Sequence, residues 1–232
     1  MSAQPDFEAM FNAPDSFDET QLHPDLQPYV HEVDRVGRVL RHPLIYSLPP
    51  VAWRWVNASY EEKRKMLATY LAAGEWSRAI FIHERPWRMT RLDEYWMDMP
   101  DTIERNAALL EVWSDTEQPF QFGPVPLRLF TAARADRTLY LTDDDAGTKP
   151  ILRGKLTVFR DTGIGEKPGI AWTLDRDKAV WFAKRFRDAA DAILITATVD
   201  SSKVLAYIVG RGEQEVVVDP RRVLQVATER VR

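Results

Sequence analysis

ILITATVDSSKVLAYIVGRGEQEVVV, residues 193–218, decides the fold class. Ile193, Ile195, Ala197 and Val199 are apolar at every second position, as are Val204, Ala206 and Ile208, then Val216 and Val218. A period of two, rich in β-branched residues, predicts strands that each bury one face. Leu156 and Val158 form a similar run upstream, predicting a strand over 156–160. Between that run and the one beginning at Ile193 a helix is predicted over 175–187, with Ala179, Phe182, Ala183 and Phe186 as its buried stripe.

Towards the N-terminus the period changes. Tyr29, Val33, Val36, Val39 and Leu40 fall at helical spacing before the His42-Pro43 break. Ser59-Tyr60-Glu61-Glu62 matches a capping box, and Met66, Leu67, Tyr70 and Leu71 follow as an apolar stripe. Trp76, Ile80 and Phe81 continue after Gly74. Asp101 is a candidate N-cap for a helix whose stripe is Ile103, Ala107, Leu110 and Trp113, and a further helix is predicted over 127–135. Asp143-Asp144-Asp145-Ala146-Gly147 reads as a turn. The expected organisation is α+β, with an extended arm over 1–28, a helical region over 29–137 and a strand-rich domain over 138–232.

Composition narrows the function classes. The chain has 232 residues, a formal net charge of −4 and no cysteine. That charge argues against non-specific nucleic-acid binding as the main task. Without cysteine there is no disulfide, thiolate metal site or cysteine nucleophile. MSAQPDFEAMF lacks the basic-then-apolar pattern of a signal peptide, and no stretch approaches ~18 apolar residues. A soluble cytoplasmic protein is the expectation, with delivery by a phage particle or by secretion left open. The histidines at 23, 31, 42 and 83 show no ligand spacing, so no metal is expected and His83 reads as structural. Trp53, Trp55, Trp76, Trp87, Trp96 and Trp113 read mainly as core packing, and Arg85, Arg88 and Arg91 as a solvated cluster.

One constellation carries chemistry. Arg160 stands at the predicted end of its strand, followed by a Gly-rich loop over 162–169. Gly169-Ile170-Ala171-Trp172-Thr173-Leu174-Asp175 reads as a short strand entering a capped helix. Glu213 and Glu215 sit two apart before an apolar run, which places both on one face of a strand. Each has a plain reading by itself: a surface cation, a helix cap at Thr173, a rim or core Trp172, a solvated strand face. Together they suit an anionic substrate and a developing positive charge.

Val158-Phe159-Arg160, Ala171-Trp172-Thr173 and Glu213-Gln214-Glu215, in that order, resemble the ADP-ribosyltransferases of the Arg–Ser–Glu class, the cholera-toxin-like enzymes with a Glu-x-Glu motif. Lys178-Ala179-Val180-Trp181-Phe182-Ala183, directly after the middle motif, also fits. More loosely, the chain is similar to transferase-like proteins of tailed phages and prophages, which implies an effector or toxin setting. The resemblance covers roughly residues 150–220. It implies that 138–232 is a catalytic domain built on a split antiparallel sheet.

The activity implied is transfer of ADP-ribose from NAD, as substrate, to an arginine or similar acceptor on a protein, with release of nicotinamide and no metal. Nucleic acid or a small guanidine are further acceptors among relatives. Arg160, Phe159, Trp172, Thr173 and Phe182 would bind NAD, Glu215 would stabilise the oxocarbenium-like state, and Glu213 would serve the acceptor. Two departures are visible. Ala171 stands where the family has the serine that orients the catalytic glutamate, and Asp161 where glycine is frequent. The alternatives are an NAD glycohydrolase, or a non-catalytic binding or virion protein that keeps the fold.

Overall fold

The structure, a computed structural model, describes residues 19–48, 53–117, 119–135, 152–162, 168–186, 192–209 and 214–231. The first eighteen residues of the arm expected over 1–28, the predicted turn at 143–147, the loop segment 163–167 and Glu213 lie outside them. The last ten residues of that arm are not extended, for they carry a 3-10 turn at Glu19–Gln21 and place Leu22 and Leu26 in the core. The chain is α+β. It divides into two compact units, Met1–Tyr95 and Trp96–Arg232. None of the described helices is long and apolar enough to cross a membrane.

The first unit opens with a three-stranded antiparallel sheet, β1 (Val30–Val33), β2 (Gly37–His42) and β3 (Ile45–Ser47), in sequential order. This corrects the helix expected over 29–40. Valines three apart imitate helical spacing, but the chain turns at Asp34-Arg35-Val36, where Arg35 has φ 63° and Gly37 φ 84°. Gly37 supplies a conformation that β-carbon-bearing residues resist, and β-branched valines favour the flanking strands.

Three helices follow: α1 (Trp53–Ala73), α2 (Trp76–Phe81) and α3 (Arg85–Tyr95). Helix α1 begins six residues before Ser59, so the expected capping box is an internal turn and Ser59 is exposed. Trp55 is 62% exposed rather than core. Leu22, Leu26, Leu40, Leu44, Ile45, Val56 and Tyr60 form the core of this unit.

Two histidines are built into that unit. His42 lies between Tyr29 and Tyr60, with ring centroids 4.6 and 5.0 Å away. His83 is buried, and its Nδ1 meets the Ala79 carbonyl at 2.8 Å. Burial first, then the Arg91 guanidinium, hold each imidazole down at about pKa 4.

In the second unit, α4 (Thr102–Asp115) and α5 (Val125–Ala135) precede the strands. Asp101 caps α4, its Oδ1 accepting from the Ile103 and Glu104 amides at 2.7 and 3.4 Å. The buried stripe of α4 is Asn106, Leu109, Val112 and Trp113, rotated from the predicted one; Ile103 and Ala107 are exposed.

Then come β4 (Lys155–Thr162), β5 (Ala171–Thr173), α6 (Arg176–Phe186), β6 (Ile193–Asp200), β7 (Val204–Ile208), β8 (Glu215–Val218) and β9 (Leu224–Arg230). The six strands form one antiparallel sheet in the order β7-β8-β5-β4-β6-β9. Its middle is thin. β4 and β5 meet through the single partner pair Phe159 and Thr173, so two three-stranded halves join at one rung.

One sheet face carries a continuous apolar cluster from both halves, with Val158, Ile195, Ala197 and Val199 beside Trp172, Tyr207, Val216 and Val218. Full burial of such side chains is the dominant stabilising term, about 1.5–3 kcal/mol for each large one. On the other face, Ala179 and Ala183 of α6 pack with Leu194 and Phe159. The exposed edge strand β9 carries no buried residue and was not legible as a strand.

Candidate functional site

The strand order brings one residue of each motif, Phe159, Thr173 and Glu215, onto neighbouring strands, β4, β5 and β8, although the third lies far along the chain. Phe159 is opposite Thr173, Thr173 is opposite Glu215, and Glu215 is opposite Ile208. Directly opposed residues of antiparallel strands share a face. Phe159, Thr173 and Glu215 therefore form one row across the face of the sheet on which α6 packs. Helix α6 covers the Phe159 end of that row, and α4 reaches the Glu215 end through Trp113.

Glu215 opens β8 and is half-buried. Its Oε1 accepts a hydrogen bond from the indole Nε1 of Trp113 at 2.7 Å. Trp113 is only 6% exposed, and its ring meets Phe130 of α5 edge-on, with centroids 5.2 Å apart. The residue before the glutamate is strained: Gln214 has φ 45°, a left-handed conformation uncommon without glycine. The Gln214 carbonyl accepts the Leu174 amide at 3.1 Å, which ties this turn to the end of β5. Glu213, the predicted acceptor-facing carboxylate, is not among the described residues.

Thr173 is 7% exposed, and its Oγ1 accepts the Asp175 amide at 3.0 Å. Asp175 in turn accepts the Asp177 and Lys178 amides at 2.9 and 3.2 Å, capping α6. Thr173 thus combines a place beside Glu215 with a structural bond at the helix entrance. Phe182, on α6, is half-buried and touches Trp181 at a centroid distance of 5.0 Å.

Arg160 and Trp172 occupy the other face, because each is one residue along from Phe159 and Thr173. The strand continues past Arg160 to Thr162, so the cation is not at a strand terminus as expected. Its guanidinium donates to the Ala171 carbonyl and lies over Gly169. Trp172 is buried, and its Nε1 donates to the Gly169 carbonyl at 3.2 Å. The predicted site residues thus fall into two groups: Phe159, Thr173 and Glu215 on one face, Arg160 and Trp172 on the other.

The residue that sequence reasoning missed is Trp113. It was assigned to a helical core stripe, which its burial matches, but nothing in the sequence links it to a glutamate on a distant strand. Chemically, the row offers a carboxylate held by a non-titrating donor, on a residue directly opposite a threonine. Such a carboxylate can meet a developing positive charge. No family model, curated protein or solved structure matches this chain.

Proposed function

We propose that the second unit is a mono-ADP-ribosyltransferase that moves ADP-ribose from NAD to an arginine or similar acceptor on a protein. The carrying observation is that Phe159, Thr173 and Glu215, one from each motif, lie on three adjacent strands with Thr173 directly opposite Glu215. In this proposal the bond from ribose C1′ to the nicotinamide nitrogen breaks and its electron pair leaves with nicotinamide. Glu215 faces the positive charge that spreads over the ribose, and the acceptor nitrogen bonds to C1′ and loses a proton to a carboxylate, for which Glu213 is the candidate. Preorganised charge of this kind acts most strongly where water is excluded.

Full-length protein incubated with NAD and a cell lysate tests this. Release of nicotinamide well above that of Glu215→Gln is the expected result, and equal release removes the proposal. Label carried on the ADP-ribose separates transfer from hydrolysis: it moves to protein in the first case and stays in free ADP-ribose in the second.

A second reading draws on the placement of Arg160. Tied to the Ala171 carbonyl on the face away from Glu215, it supports a domain that keeps the fold and binds without transferring. In that case Glu215→Gln leaves the biological phenotype unchanged.

A further inference from the structure

A glutamate at the first position of a strand is a poor electrostatic catalyst unless something aims it. Its side chain has three rotatable bonds, and immobilising such a chain is opposed by rotamer entropy. Thr173, its neighbour across the rung, accepts the Asp175 amide at Oγ1 and keeps a hydroxyl hydrogen to donate. Ala171, further along the same face, offers only a methyl group and sits opposite Val217. A donor to the Glu215 carboxylate comes from a helix: the Trp113 indole N–H, 2.7 Å from Oε1.

That donor is unusually well fixed. Trp113 is 6% exposed, Phe130 is fully buried and meets the indole edge-on at 5.2 Å, and α4 is anchored at its start by the Asp101 cap. An indole N–H only donates and does not titrate near neutral pH. A hydrogen bond to an ionised acceptor is roughly twice as strong as one between neutral groups. A rigid, permanent donor acting on one carboxylate oxygen sets the direction in which the carboxylate can act.

We infer that Trp113 is the positioning residue of Glu215, holding its carboxylate in one orientation beside Thr173 at the start of β8. This rests on the proposal that Glu215 is the reacting carboxylate. It assigns a catalytic consequence to α4, whose sequence carries no catalytic motif.

The test compares full-length wild type, Glu215→Gln, Trp113→Phe and Trp113→His, reading nicotinamide release from NAD together with thermal unfolding. Trp113→Phe keeps an aromatic ring and removes the donor. Its kcat should fall about tenfold to a hundredfold, in line with the cost of misplacing a reacting group, while KM for NAD changes less than about threefold. The acid limb of its pH–rate profile should move to higher pH, since the ionised carboxylate has lost a donor. Trp113→His, which restores a ring N–H, should recover part of the rate.

A Trp113→Phe protein with wild-type kcat and pH profile, beside an inactive Glu215→Gln, overturns the role of Trp113 and leaves the transferase proposal standing. Wild type that releases no more nicotinamide than Glu215→Gln overturns both. Should Trp113→Phe fail to fold, Phe130→Leu loosens the indole without touching Glu215. A wild-type rate and pH profile there overturns the inference, and a reduced kcat with unchanged KM supports it.

Discussion

A β-carbon added at Gly169 would stand 2.8 Å from Nη2 of Arg160, closer than real contacts allow. The guanidinium occupies the space that glycine leaves, and from there it donates to the Ala171 carbonyl. Gly169→Ala should push the guanidinium off that carbonyl and lower the stability of the second unit by about 1 kcal/mol, the net worth of one hydrogen bond. With Arg160→Met already in place, the same glycine substitution should cost much less. Denaturant titration of the two single variants and the double variant reads the coupling directly. Additive effects would show that the two residues are not engaged.

Protonation should weaken the first unit. His83 has a folded pKa of about 4 against 6.5 in the unfolded chain. The unfolded state therefore binds the proton more readily, so stability is full above about pH 6.5 and declines as pH falls towards 4. For His83 the loss by pH 5 is about 2 kcal/mol. His42 contributes in the same direction. Unfolding midpoints between pH 7 and 5 check this, and a flat profile contradicts it.

Helix α4 depends on its first turn. Asp101→Ala removes the acceptor for the Ile103 and Glu104 amides, and the expected loss is about 1 kcal/mol, with Asp101→Ser recovering most of it. Equilibrium unfolding of the three proteins gives the comparison. An alanine variant as stable as wild type would mean that this end of α4 contributes little.

Thr173 separates shape from chemistry. Thr173→Val keeps the volume but leaves the Asp175 amide without its side-chain acceptor, which should cost about 1–2 kcal/mol. On the transferase proposal it should also slow nicotinamide release, because Thr173 is directly opposite Glu215. Thr173→Ser should preserve both properties. If the valine variant keeps full stability, the cap bond is not significant.

The parts of the fold that were legible in sequence are those where buried apolar residues recur at a regular spacing along one segment. Strands β6 and β8 were visible because Ile195, Ala197 and Val199, then Val216 and Val218, repeat on the face of one apolar cluster; in β7 a register shift leaves Val204 in that cluster and sets Ala206 opposite Val217 instead. Helix α6 was visible for the analogous reason, Ala179 and Ala183 lying one turn apart. β9 was not, since every one of its residues is exposed and no inward face marks it. The β1–β2 hairpin was misread because its valines fit a helical spacing while Gly37, the decisive residue, marks the turn only through its backbone angle. On α4 a polar residue, Asn106, holds a buried position, and this rotated the predicted stripe.

The candidate site divides in the same way. Thr173 and Glu215 were singled out from local patterns, and the sheet register then made them neighbours. That Arg160 turns away from them depends on the parity of the Phe159–Thr173 pairing, which no local pattern encodes. Trp113 depends on a contact across 102 positions of chain, and only the folded arrangement reveals it.

The one-rung junction between β4 and β5 has a consequence for how the second unit breathes. Amide protection should be lowest along that line, so in deuterated buffer β5 should exchange hydrogen sooner than β4 and β6, which share a continuous ladder from Lys155 to Thr162. Phe159 and Thr173, the pair that makes the junction, also form part of the candidate row. A molecule lying across both would act as a suture between the half-sheets, and its arrival would be recorded as slower isotope uptake in β5 before any product is measured.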